Sequence, residues 1–87
     1  MLFEKGRVCM KIAGRESGKY CVVVEEGDGE LVMVTGPKKL TGVKHRKCNV
    51  NHLEPTTEKL EISGTSDEEI TQVWENSGLI EKLGLKK

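Results

Sequence analysis

Apolar and polar positions alternate first between Arg7 and Ala13. Val8, Met10 and Ile12 point one way, and Cys9, Lys11 and Ala13 point the other. Period two over seven residues predicts a half-buried strand. Gly14-Arg15-Glu16-Ser17-Gly18 interrupts it, and two glycines in five residues predict a turn with an unusual backbone angle. The next run, Lys19 to Glu25, holds Tyr20-Cys21-Val22-Val23-Val24 without polar alternation, which suits a central strand covered on both faces. Gly27-Asp28-Gly29 is a hairpin signal, and Leu31 to Thr35 is a third strand ended by Gly36-Pro37. Beyond a turn at Thr41-Gly42, the residues Cys48, Val50 and Leu53 predict one or two brief strands, stopped by Pro55. Leu60-Glu61-Ile62 is expected to be a final short strand.

The period then changes. Ser66-Asp67-Glu68-Glu69 has the form of a capping box, in which Ser66 accepts a backbone N–H and Glu69 reaches back. Three early acids suit the positive end of a helix dipole. Ile70, Val73, Trp74 and Ser77 follow at helical spacing, and Gly78 is a C-cap candidate. The pattern predicts a helix over Asp67–Ser77 docked through Ile70, Val73 and Trp74, with a further short helical segment from Leu79, Ile80, Leu83 and Leu85. Four to six short strands followed by one amphipathic helix make the chain mainly β. A small β core with glycine turns is expected to close into a barrel or sandwich, which limits exposed edges.

Composition narrows the function. With 87 residues the chain is expected to form one domain, with little room for a deep substrate pocket beside a core. One Phe, one Tyr and one Trp leave that core mostly aliphatic. No apolar run is long enough for a transmembrane helix, and Met1 to Arg7 leads into a strand pattern rather than a signal peptide, so the cytoplasm is the expected compartment. Cys9, Cys21 and Cys48 lack paired spacing, which argues against a disulfide scaffold and for buried free thiols. Together with His45 and His52 they also lack the spacing of a zinc site, and Cys48 with His52 lacks the orienting group a nucleophile needs. No catalytic residue, metal or cofactor is expected.

Net charge is zero, but it is divided. Residues 1–53 hold 10 Lys/Arg and 6 Asp/Glu, whereas residues 54–87 hold 4 and 8. The basic half can face a polyanion and the acidic half solvent or a basic neighbour. Lys38 to Lys47 is the most concentrated stretch, with Lys38, Lys39, Lys44, Arg46 and Lys47 beside His45 and no acid. A polyanion rewards such a stretch through counterion release.

The strand, glycine loop and second strand from Gly6 to Val24 look like a KOW motif. In it Gly18 permits a tight turn and close approach of a phosphate backbone, and Arg15 and Lys19 can grip that backbone. Further blocks follow in order: Val34-Thr35-Gly36-Pro37-Lys38, Thr41-Gly42-Val43-Lys44-His45-Arg46 and His52-Leu53-Glu54-Pro55-Thr56. Together they resemble the archaeal large-subunit ribosomal protein family numbered fourteen in the "e" series, over roughly Phe3 to Thr56, and the capped helix at Ser66 fits the same family. The resemblance implies an SH3-like barrel of KOW type over residues 1–56, with residues 57–87 forming a short strand and an acidic helix packed on it. It implies a structural constituent of the large ribosomal subunit in the cytoplasm, not an enzyme. Its partners would be large-subunit rRNA and neighbouring ribosomal proteins, with no membrane and no small-molecule substrate, and the chain would be a monomer outside the ribosome. The RNA-binding residues expected are Arg7, Arg15, Ser17, Gly18, Lys19, Lys38, Lys39, Lys44, His45, Arg46 and Lys47. Glu16 departs from this picture by putting an acid into the loop, and the acidic C-terminal region lacks a basic tail. The alternative is a KOW-type module binding a protein partner in transcription or translation.

Overall fold

The computed structural model of the chain describes residues 3–27, 29–36, 41–62, 64 and 66–78. Asp28, Pro37, Lys38, Lys39 and the segment with Leu79, Ile80, Leu83 and Leu85 lie outside the described residues. Five strands follow one another: β1 (Arg7–Lys11), β2 (Tyr20–Glu25), β3 (Leu31–Thr35), β4 (Arg46–Asn49) and β5 (Leu53–Lys59). Among the described residues, a 3-10 turn, Val50–His52, links β4 to β5, and the helix α1 (Asp67–Ser77) follows the sheet. All pairings are antiparallel, in the order β4-β3-β2-β1-β5.

Side-chain alternation sorts the core into two layers. On one face Cys9, Cys21, Val23, Val32, Val34, Cys48 and Leu53, one or two from each strand, pack with Val43. On the other, Val8, Val22 and Val24 pack against Leu60 and against Ile70 and Trp74 of α1, with Val73 partly buried beside them. The uninterrupted apolar run in β2 is thus explained, since that strand is covered on both faces. β1 differs from the half-buried strand expected: Val8 and Cys9 are both fully buried, because α1 covers the Val8 face while the cluster around Cys21, Val34 and Leu53 covers the Cys9 face. Ile12, one residue past the end of β1, is 48 % exposed rather than buried with Val8.

Pro55 does not stop a strand; it sits inside β5. Ile12 N–H donates to His52 O at 2.9 Å, which fixes the phase of the β1–β5 ladder. Counting back, Met10–Glu54 is a bonded pair and Cys9–Pro55 is not. The missing N–H of Pro55 therefore points away from β1 on an edge strand, where proline is tolerated. The final strand consequently ends at Lys59, and Leu60-Glu61-Ile62 is not a strand. Leu60 instead closes the β1–β5 end by donating to Gly6 O at 2.7 Å. Gly6 has φ +95°, and a Cβ there would collide with Leu60 O.

The helix keeps its expected bounds. Ser66 Oγ accepts the Glu69 N–H at 3.3 Å, and Ser66 Oγ in turn donates to Glu69 Oε1 at 3.2 Å, a hydroxyl variant of the capping box. Gly78 caps the other end in the left-handed conformation. Asp67 in the first turn accepts from Thr35 Oγ1 of β3 at 2.9 Å, which ties the helix N-terminus to the sheet. Thr71 and Ser77 hydroxyls bond to backbone carbonyls of the helix itself.

Candidate nucleic-acid interface

The β1–β2 connection ends in a bulge. Gly18 N–H donates to Lys11 O at 2.7 Å, and Lys11 N–H donates to Lys19 O at 2.8 Å, so Gly18 and Lys19 together oppose one residue. This is the G1 arrangement, whose first residue must take a left-handed conformation. Gly18 does so with φ +86°, and a Cβ added there would meet nothing within 4 Å. The backbone at Gly18 is accordingly open to a large ligand. Arg15, Ser17, Gly18 and Lys19 are all exposed around it.

Glu16, by contrast, turns inward and is only 8 % exposed. Its Oε1 accepts from Lys11 Nζ at 3.2 Å and from Arg46 NH2 at 2.9 Å. Its Oε2 accepts the Lys44 backbone N–H at 3.0 Å. Burial pushes the Glu16 carboxyl up, but the Lys44 N–H and the Lys11 and Arg46 donors outweigh that and hold it below the usual glutamate range. One acid therefore joins two basic segments some thirty residues apart. Lys19 adds a second bridge: a Cβ built on Gly42 would fall 2.8 Å from Lys19 Nζ, so the lysine chain lies across that glycine. Thr41 Oγ1 accepts the Val43 N–H at 3.3 Å and fixes the start of the second segment.

Arg15, Ser17, Gly18, Lys19, Lys44 and Arg46 thus belong to one region. The other expected residues stand differently. Arg7 shares no partner with Glu16: its Nε and NH2 donate to Glu4 Oε1 at 3.0 and 2.6 Å, and its NH1 donates to Thr56 O at 3.1 Å. The Arg7 hydrogen bond is the main reason the Glu4 carboxyl sits below its ordinary range. His45 Nδ1 lies 3.1 Å from Asp67 Oδ1 and so connects the basic segment to α1. Lys47 lies on the opposite side of β4 from Arg46, lining a groove with Glu25, Glu26, Leu31 and Met33. Lys38 and Lys39 lie outside the described residues. Reading the sequence alone misses the roles of Glu16 and of Lys11, which is only 5 % exposed. The one signal for them is an acid inside an otherwise basic glycine loop.

Among the described residues no three His, Cys, Asp or Glu side chains gather as metal ligands. The three cysteines are free and buried, and burial pushes the Cys9 thiol up to about 12 and the Cys21 thiol higher still. Among the described residues no helix is long and apolar enough to cross a membrane.

No protein-family model matches the chain. Individual relatives do. Over 79 residues it is 52 % identical to the large ribosomal subunit protein eL14 of Staphylothermus marinus, covering 90 % of this chain and 82 % of that one. Identity to the eL14 of Sulfolobus acidocaldarius is 52 % over 77 residues, 87 % of this chain and 80 % of that protein. With the eL14 of Saccharolobus solfataricus it is again 52 %, over 81 residues, 92 % of this chain and 84 % of the relative. The likeness runs well past Thr56 and so takes in α1 as well as the sheet. On that identity and coverage, the chain belongs to the eL14 family of large ribosomal subunit proteins.

Proposed function

We propose that the protein is a structural, non-enzymatic constituent of the large ribosomal subunit that grips rRNA through the surface around Glu16. The observation that carries this reading is the joining of two basic segments, Arg15 to Lys19 and Lys44 to Arg46, by one buried carboxylate. A preformed cluster of cations beside an open glycine turn suits a phosphate backbone, and phosphate contacts fix position without reading sequence. Ser17 and Gly18 supply polar and backbone groups to the same surface, His45 adjoins it, and Lys38, Lys39 and Lys47 are proposed as further phosphate contacts, Lys47 from the other side of β4. Arg7 adds charge at the start of β1. The exposed acids Glu68, Glu69 and Glu75 of α1 meet solvent or basic ribosomal neighbours rather than rRNA. In the cytoplasm outside the ribosome the chain is a monomer.

The sheet in this reading is an SH3-like barrel, with α1 packed against it. Laid flat, five strands would hold β4 and β5 about 19 Å apart at the usual strand spacing. Only three residues join Asn49 to Leu53, and four extended steps of chain reach about 14 Å at most. Cys48 of β4 and Leu53 of β5 also share one apolar cluster. Both observations call for a sheet rolled toward closure.

The test is binding to large-subunit rRNA as salt is varied. With five cations engaged, log K should fall against log salt with a slope near about −4. Changing Arg15, Lys19 and Lys44 together to Glu should preserve the fold, because none of these side chains is held in the ion pairs of Glu16 and exposed charges contribute little to stability. It should abolish most of the affinity, whereas Lys59, Lys82 and Lys86 changed to Glu should not. Equal losses in the two variants, or affinity insensitive to salt, would refute the reading.

A further inference from the structure

We infer that Glu16 is the positioning residue of this interface: it holds the Lys44 backbone and the Arg46 guanidinium against the glycine loop, so that the basic groups meet RNA as one preset surface. The inference rests on the rRNA-binding reading above and concerns how that surface is built. An acid in a phosphate-binding loop is at first sight a defect, since it repels the ligand at every salt concentration. Its surroundings argue the reverse. The carboxylate is nearly buried, accepts three hydrogen bonds, and is neutralised locally by Lys11, itself buried beneath it. Little of its charge is presented to solvent.

What it contributes is geometry. The Lys44 N–H is a backbone donor in a segment with no ladder partner at that point, and Glu16 Oε2 supplies its acceptor from 28 residues away in sequence. Arg46 uses NH2 on Glu16 while its side chain stays 54 % exposed, which leaves the rest of the guanidinium fork facing outward. An arginine already held by one carboxylate loses less rotamer freedom when its remaining donors take a phosphate. Lys11 gives the carboxylate its own anchor in β1, so the arrangement is fixed from the sheet outward.

Two accounts of Glu16 predict opposite signs. If it only adds negative charge, or restrains Arg46 from binding, Glu16→Gln should tighten rRNA binding. If it positions the surface, Glu16→Gln should weaken binding by about fivefold to tenfold, the equivalent of one ordinary hydrogen bond. The salt slope should then become shallower by about 0.7–0.9 for each phosphate that is no longer engaged. The double variant Glu16→Gln/Lys11→Met removes the buried pair together, keeps net charge unchanged and leaves no buried cation alone. It should melt as the parent does, exchange the Lys44 amide proton faster, and bind as weakly as Glu16→Gln. Parent-like or tighter binding by either variant, with the Lys44 amide demonstrably released, overturns the inference. Loss of affinity in Arg15, Lys19 and Lys44 changed to Glu, measured beside them, keeps the rRNA-binding reading standing in that case. If that triple variant binds as the parent does, the reading and the inference fall together.

Discussion

Trp74 is fully buried against Val8, Val22, Val24, Leu60 and Ile70, and its indole N–H has no hydrogen-bond partner among the described residues. Both facts set the cost of removing it. A buried Trp covers up to about 250 Å², of which truncation to Ala forfeits about 200 Å². At about 25 cal/mol per Å² this is about 5 kcal/mol, an upper estimate because real unfolded chains already bury some surface. Releasing an unsatisfied N–H returns about 1–2 kcal/mol. The net expectation for Trp74→Ala is a loss of about 3–4 kcal/mol, inside the range seen for aromatic truncations. A chain of this length holds about 4–13 kcal/mol in total, so the variant gives up a large share of its stability and should unfold at clearly lower denaturant and temperature. Trp74→Phe should be near neutral, within about 1 kcal/mol, because about 50 Å² of lost area is balanced by the relieved N–H. Urea unfolding followed by far-ultraviolet circular dichroism measures both variants, since this is the sole tryptophan and its fluorescence disappears with it. In the parent that fluorescence should be blue-shifted. A loss below about 1 kcal/mol for Trp74→Ala would refute the burial argument. A Trp74→Phe loss as large as that of Ala would refute the orphan N–H.

Other outcomes follow from features away from the basic surface. The raised Cys9 and Cys21 thiols stay protonated in the folded chain while those of the unfolded chain ionise above about pH 9, so stability should fall as pH rises from 9.0 toward about 12. The slope should approach about 1.4 kcal/mol per pH unit for each thiol, and pH-dependent melts of Cys9→Ala/Cys21→Ala should lack it. Glu16, held below its usual range, contributes stability that is present above about pH 4.5 and lost as pH falls further, and acid titration of Glu16→Gln should show a smaller loss. Gly6→Ala meets both a left-handed backbone and Leu60 O, whereas Gly18→Ala meets the backbone alone. Denaturant melts should therefore give about 1–2 kcal/mol for Gly18→Ala and clearly more for Gly6→Ala. Chelating agents should leave the circular dichroism and melting temperature unchanged, and unfolding on chelation would contradict a metal-free fold.

The elements with a strong local signal were legible in the sequence. Leu31–Thr35 and Asp67–Ser77 have the bounds their periodicity predicts, because a hairpin and a capped helix are specified by neighbouring residues. Pro55 misled because the harm proline does depends on which way its nitrogen faces, and that phase is set by Ile12 bonding to His52 across the sheet. Two-sided burial of β1 was equally invisible, since one face is covered by α1, some sixty residues away, and the other by residues drawn from the remaining four strands. For the candidate site, the cations could be counted but not assembled. Lys44 and Arg46 are tied to the glycine loop by Glu16, and an acid in a basic loop reads locally as a solvated charge.

The pairing of β1 with both β2 and β5 has a temporal consequence. Cys9 has Cys21 on one side and Pro55 on the other, the second partner more than forty residues away in sequence. Hairpins such as β1–β2 close in microseconds, but long-range pairings must first overcome the entropy of the intervening loop. The partners of β1–β2–β3 lie close in sequence, so these three strands can pair while one side of β1 is still open. Docking of β5 onto that waiting strand should set the folding rate, in the millisecond-to-second range typical of sheets dominated by distant pairings.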